Sequence, residues 1–166
     1  MSPPRPPSDA VVALRSLGRR YRGAFAGLDA DESPDDLAHR NGSDGRSALD
    51  HVVAATRTIT FLGRALEQTL VEDDPVLHPA TLDAAEREWP DATGTVEERV
   101  SELTWEADQL ADRVDHVAAA DWGRHARVAG RDATTSAAAI LWDAVDSAVD
   151  HLRAVERTLR EVRGRG

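Results

Sequence analysis

The chain has 166 residues and a mass of 18.0 kDa, enough for one domain that buries a core without disulfide or metal staples. It has no cysteine, and all 20 of its basic residues are arginine, which excludes thiolate nucleophiles, cysteine-ligated zinc or iron–sulfur centres, lysine Schiff bases and a P-loop lysine. Its 30 acidic residues give a formal charge of -10, a surface that repels a phosphate backbone, so nucleic-acid binding is not expected.

The first residues, MSPPRPPSD, have neither an apolar h-region nor a cleavage site, and no apolar run approaches the ~18 residues of a spanning helix. Together with the missing cysteines this predicts a cytoplasmic protein with no membrane partner. Arginine in place of lysine, with abundant Ala, Asp and Val, also fits a G+C-rich genome.

Residues 1–8 form a proline-rich leader, expected to be disordered, and a single domain is predicted over 9–163. Ala10, Leu14, Leu17, Tyr21, Ala24 and Leu28 are spaced 4-3-4-3-4, one buried face of a helix over about 9–28, with Ser8 as its expected cap. A second stripe, from Ala48 through Val52, Ala55, Ile59 and Leu62 to Leu66 and Leu70, predicts a helix over about 48–70. Ser47 is its expected N-cap, and Asp50 completes an Asp-for-Glu capping box.

The third stripe runs Val96, Val100, Leu103, Ala107, Leu110, Val114 and Val117, behind a Thr95/Glu98 capping box, and predicts a helix over about 96–119. The fourth runs Leu141, Val145, Ala148, Leu152, Val155, Leu159 and Val162, predicting a helix over about 136–163 capped by Thr134, Thr135 or Ser136, with a fraying RGRG tail. No window alternates strictly with β-branched enrichment, so no strands are expected, and the fold class is an all-α four-helix bundle. About 24 residues separate helices two and three, enough to span ~80 Å when a helix of this size is only ~35 Å long, so these two helices can be parallel neighbours joined by a long crossover.

Histidine and carboxylate are the chemistry that remains. None of the six histidines forms an i,i+4 pair with another. On 100° per residue, His51 and His151 each fall roughly 60–80° off their stripe centre, at the edge of the core. There they serve either as part of a metal or acid–base site or as hydrogen-bonded boundary residues. Asp143, Asp146, Asp150 and His151 cluster on helix four, and Asp146 with Asp150 is an i,i+4 pair that suits either a hard cation or a solvated acidic face. Trp89, Trp105, Trp122 and Trp142 are solitary in their segments and read as core-edge and loop plugs. Ser47 and Ser136 lack a G-x-S-x-G elbow or any sign of a positioned base.

The stretch GRSALDHVVAATRTITFLGRALEQTLVEDDP, the pair Asp121–Trp122 and DAVDSAVDHLRAVERTL resemble the DinB-like superfamily, which includes the mycothiol-dependent maleylpyruvate isomerases and related thiol transferases. The resemblance covers roughly residues 10–162. It implies an up-down-down-up bundle and a divalent metal, zinc or nickel, held by a histidine on helix two and an H-x-x-x-H or E-x-x-x-H pair on helix four. That metal activates water or a low-molecular-weight thiol.

In the family register those ligand positions are Ala54, Asp146 and Asp150 here, so Ala54 supplies no ligand and both paired positions are aspartate. The resemblance therefore implies a degraded metal triad in a non-catalytic or small-ligand-binding member. The alternative is a metal-dependent transferase or hydrolase with a rearranged site of His51, Asp146, Asp150 and His151. A homodimer through exposed apolar helix surface is expected with either, and a third reading is a regulatory protein that takes a partner helix in its groove.

Overall fold

A computed structural model describes residues 4–29, 31–83 and 88–164. In chain order the elements are α1 (Pro7–Ala26), α2 (Pro34–Ala38), α3 (Ala48–Val71), β1 (Val76–Leu77), α4 (Pro79–Leu82), α5 (Val96–Val114), a 3-10 turn (Ala119–Gly123), β2 (His125–Val128), β3 (Thr134–Ser136) and α6 (Ala137–Arg163). The four long helices α1, α3, α5 and α6 make the bundle.

Cross-helix contacts fix the directions. Arg15 of α1 reaches Asp112 of α5, while Gly18 lies against Thr104, so these two helices run antiparallel. His51 of α3 meets His151 of α6, while Gly42, before α3, packs on Thr158, so this pair is antiparallel too. Gly63 and Glu67 of α3 lie beside Leu110 and Arg113 of α5, and Thr56 lies beside Ser101, so α3 and α5 are parallel. The sense is up-down-down-up. The crossover that makes this possible starts at the end of α3 and returns to its beginning, where the Ala92 N–H donates to Asp50 Oδ1 at 3.0 Å.

The predicted stripes are the core. Leu14, Leu17, Tyr21, Leu62, Leu103, Leu141 and Val155 are at most 1 % exposed, and each fully buried leucine contributes roughly 1.5–3 kcal/mol of burial free energy. The Tyr21 hydroxyl, which burial pushes to a raised pKa, donates to the Ala148 carbonyl at 2.6 Å and so meets the demand of a buried O–H. Both capping boxes form: Ser47 with Asp50, and Thr95 with Glu98. Of the three expected caps for the last helix, Ser136 accepts the Ala139 N–H.

Three expectations are corrected. Helix α1 begins at Pro7 rather than after Ser8, with Pro6 extended at the cap and no side-chain cap; proline at the first helical position loses nothing because its N–H would be unpaired there anyway. Helix α5 ends at Val114, and the chain passes through an extended Ala118 into the 3-10 turn Ala119–Gly123, so Val117 packs on the core from outside the helix. Strands exist: β1 pairs parallel with β2, and β2 antiparallel with β3, over two to four residues. In β2 the buried positions alternate, Ala126 and Val128 in, His125 and Arg127 out. Arg124, just before β2, donates to the Thr69 and Glu72 carbonyls and closes the C-terminal end of α3.

Residues 1–3 of the leader and 165–166 of the tail lie outside the described residues, as does part of the crossover, 84–87. The described leader is tied down: Arg5 lies 3.8 Å from the Trp142 ring centroid and donates to Asp146, and Trp142 Nε1 donates to the Arg5 carbonyl at 3.1 Å. No helix among the described residues is long and apolar enough to cross a membrane.

Candidate functional site

The loop 41–47 before α3 is a small built turn. Asn41 pairs with Ser47 as an antiparallel bridge, the Gly42 N–H donates to the Arg46 carbonyl at 2.8 Å, and Gly45 adopts φ +76°, which favours glycine. The Ser43 N–H donates to Glu161 of α6 at 2.7 Å, and the Arg46 N–H donates to Asp44 Oδ1 at 2.9 Å. The turn thereby aims the second carboxylate oxygen of Asp44 at the first turn of α3.

His51 receives it. Its Nε2 lies 3.2 Å from Asp44 Oδ2, its Nδ1 lies 3.3 Å from Nδ1 of His151, and the residue is only 5 % exposed. A carboxylate accepts only, so Nε2–H is the donor to Asp44 and Nδ1 of neutral His51 is a lone pair turned towards His151. The Trp89 ring from the crossover meets both imidazoles edge-on, with centroids 5.2 Å from His51 and 5.9 Å from His151, and the Arg46 guanidinium sits 4.6 Å from the Trp89 ring centroid.

Burial holds the His51 imidazole below its ordinary pKa, against the hydrogen bond and charge of Asp44, which raise it; Arg157 adds to the lowering. For Asp44, burial pushes the pKa up, but the Arg46 N–H, the His51 bond and the charge of Arg157 outweigh it and the net direction is down. The pair at neutral pH is thus an ionised carboxylate and a neutral imidazole.

Of the four residues of the rearranged site, the fold brings His51 and His151 together and turns the two aspartates elsewhere. Asp146 takes both guanidinium nitrogens of Arg5, and Asp150 accepts from Arg153 at 2.8 Å; both carboxylates are more than half exposed. Ala54 lies half-buried on α3 and carries no donor atom. Asp143, next to Asp146, has its pKa raised by burial and by the Asp146 charge, with Arg5 opposing. Elsewhere, His39 bonds the Gly94 carbonyl, His78 caps α4, and His116 and His125 are exposed.

Two Nδ1 atoms 3.3 Å apart match the separation of two ligands on one tetrahedral ion, about 3.3 Å for bonds of ~2.0–2.1 Å, and a carboxylate on the far nitrogen is how metal-bound imidazoles are oriented. In this structure the same 3.3 Å is a hydrogen bond in which His151 Nδ1–H donates to the His51 Nδ1 lone pair, and both nitrogens become ligands only when that proton is displaced. No group of three or more His, Asp or Glu ligands converges among the described residues. Asp44, Arg46 and Arg157 were not flagged by sequence; the Asn-Gly…Asp-Gly turn immediately before a capped helix was the available signal for the first two.

No protein-family model matches the chain, and no curated protein does. Among solved structures it is similar to YfiT from Bacillus subtilis, described as a probable metal-dependent hydrolase with an unusual four-helix bundle topology. The likeness has a TM-score of 0.69 at 13% identity and covers 95% of this chain and 92% of that one. The two share a fold, and this agrees with the DinB-like resemblance of the sequence and its implied bundle.

Proposed function

We propose that this is a DinB-like metal-dependent protein whose divalent ion is held between Nδ1 of His51 and Nδ1 of His151, one turn of α3 away from the position that the family register gives to Ala54. The observation that carries the reading is the 3.3 Å approach of His51 Nδ1 to His151 Nδ1, a hydrogen-bonded pair whose shared proton a metal would displace, with Asp44 keyed to the far side of His51. The similarity to a protein described as a probable metal-dependent hydrolase supports the same class of chemistry.

When bound, zinc or nickel supplies an activated water or small thiol for hydrolysis or group transfer. The chain's own residues do the rest. Asp44 fixes the tautomer and plane of His51, Trp89 covers both imidazoles on one side and keeps water from their edges, and Arg46 holds the Trp89 ring by its face. Asp146 and Asp150 take no part, because each carboxylate is engaged by an arginine on the outer surface.

Elemental analysis of protein purified without a histidine tag, followed by thermal melts with Zn, Ni and Mn, tests the reading. About one metal per chain and a metal-dependent rise in Tm are expected, both lost in His51→Ala and His151→Ala and kept in Asp146→Asn and Asp150→Asn. No bound metal and no shift would overturn it. That outcome favours the second reading, a non-catalytic member that binds a small molecule, which rests on Ala54, Asp146 and Asp150 failing to converge.

A further inference from the structure

The N-terminal half of α6 carries a recognition surface outside the histidine site. Trp142 and Asp146 are an i,i+4 pair and Asp143 and Asp146 an i,i+3 pair, so the three side chains border one patch. Three contacts converge there on a single residue of the leader. The Arg5 guanidinium lies 3.8 Å from the Trp142 ring centroid, both its terminal nitrogens donate to Asp146, and Trp142 Nε1 donates to the Arg5 carbonyl at 3.1 Å. Ring, carboxylate and indole N–H thus read the face of the cation, its charge and the backbone that carries it.

That backbone is extended. Pro6 has φ -69° and ψ 141°, the values of a polyproline II helix, and the prolines on both sides of Arg5 favour the same conformation through it. Such a segment makes no internal hydrogen bonds, so its carbonyls are free to accept, and it loses little freedom on docking against an aromatic side chain.

The occupant leaves the patch loosely and incompletely filled. The Arg5 and Asp146 side chains are 52% and 51% exposed, and an ion pair so open to water is readily exchanged for another. Asp143 has no hydrogen bond or ion pair among the described residues, although its charge acts on Arg5. Partial burial and the Asp146 charge raise the Asp143 pKa, the mark of a carboxylate short of a cation. Two carboxylates therefore face one guanidinium.

We infer that the Trp142–Asp143–Asp146 patch is a docking site for a proline-rich segment of a partner protein bearing two arginines, and that the chain's own Arg5 is its tethered competitor. Residues three apart in polyproline II return to the same side ~9 Å along the segment, so an Arg-x-x-Arg spacing presents two guanidinium groups together. One replaces Arg5 on Trp142 and Asp146, and the other takes the open Asp143. A segment with one arginine offers nothing that Arg5 lacks and loses to it, because Arg5 is held two residues from the start of α1 at a high effective concentration.

Fluorescence anisotropy of labelled peptides on the full chain tests this, at physiological salt so that the net charge of -10 alone does not hold a cationic peptide. PPRPPS repeats the leader, and PPRPPRPP adds the second arginine. The wild type is expected to bind PPRPPRPP at least about tenfold tighter than PPRPPS, and Arg5→Ala to bind PPRPPS at least about tenfold tighter than the wild type does, its competitor being gone. Asp143→Asn, at an exposed position that the fold does not depend on, should erase the preference for the second arginine. Trp142→Ala, with its folding checked by Tm, should weaken both peptides on the Arg5→Ala background. Failure of PPRPPRPP to bind either the wild type or Arg5→Ala, or a preference for it that survives Asp143→Asn, would overturn the inference.

Discussion

Thr104 of α5 fills the notch that Gly18 leaves in α1: a Cβ on residue 18 would stand 2.3 Å from the Thr104 hydroxyl and 3.0 Å from its Cβ. Gly18 sits inside a helix and is fully buried, where alanine would gain up to about 1 kcal/mol of helix propensity. The contact decides the sign. Thr104 cannot swing freely, since its hydroxyl donates to the Val100 carbonyl at 2.7 Å. Gly18→Ala is expected to destabilise the fold by about 1–3 kcal/mol in urea titrations, as overpacked cores do. Adding Thr104→Ala to the same chain should recover most of the loss. A Gly18→Ala variant as stable as the wild type would show that the helices can part there without cost.

Asp50 holds two segments with one carboxylate. Oδ2 accepts from the Ser47 N–H at 2.9 Å, completing the capping box, and Oδ1 accepts from the Ala92 N–H at 3.0 Å. Asp50→Ala removes both acceptors and leaves two amides to find water. A loss of about 1–2 kcal/mol is expected, in line with the upper range for capping residues, together with faster hydrogen exchange at Ala92. Unchanged exchange there would mean that the crossover is held by other contacts.

The bundle was legible because each long helix repeats its apolar side chains every 3–4 residues, and two of them open on capping boxes that can be read locally. The strands were not, because they are two to four residues long and their pairing joins Val76 to Arg127, about 50 residues further along the chain. The site was legible by halves. Periodicity alone put His51 and His151 at the core edge, where they meet. The alignment to the family register favoured Ala54, Asp146 and Asp150, two of which are turned outward to arginines. Asp44 and Trp89 could not be placed from sequence, because a loop carboxylate and a crossover ring acquire their direction only from the tertiary contacts that Glu161 and Arg46 make.

The metal-free protein is expected to lose stability as the pH falls below about 6.5. Burial lowers the His51 pKa relative to its ordinary 6.5, while Asp44 and Asp50 oppose and Arg157 assists. The unfolded chain then binds a proton that the folded chain refuses, so stability rises with pH between the lowered folded value and 6.5 and is lost in the other direction. Asp44, with its own pKa lowered, stays ionised throughout that window and adds its loss only at more acid pH. Urea midpoints of chelated protein at pH 7.5 and 5.5 measure the slope, and His51→Asn should flatten it. A variant that retains the full slope would assign the titration to another group.

Asp44 separates a positioning role from a merely structural one. Its carboxylate is the hydrogen-bond partner of His51 Nε2, and it is 41% exposed, so removing it opens little cavity and exposes little core. What it removes is the restraint on the His51 ring and the charge that raises the basicity of the facing Nδ1. Asp44→Ala is therefore expected to weaken zinc binding 10–100-fold, the usual effect of losing such a partner, while stoichiometry at saturation stays at one per chain. Asp44→Asn keeps an acceptor oxygen without the charge and should fall between the two. Competition against a chromophoric chelator at fixed pH gives the affinities, and Asp146→Asn, which touches only Arg5, serves as the control that leaves them unchanged. A merely structural Asp44 would lower Tm in both variants without moving the affinity of the folded protein.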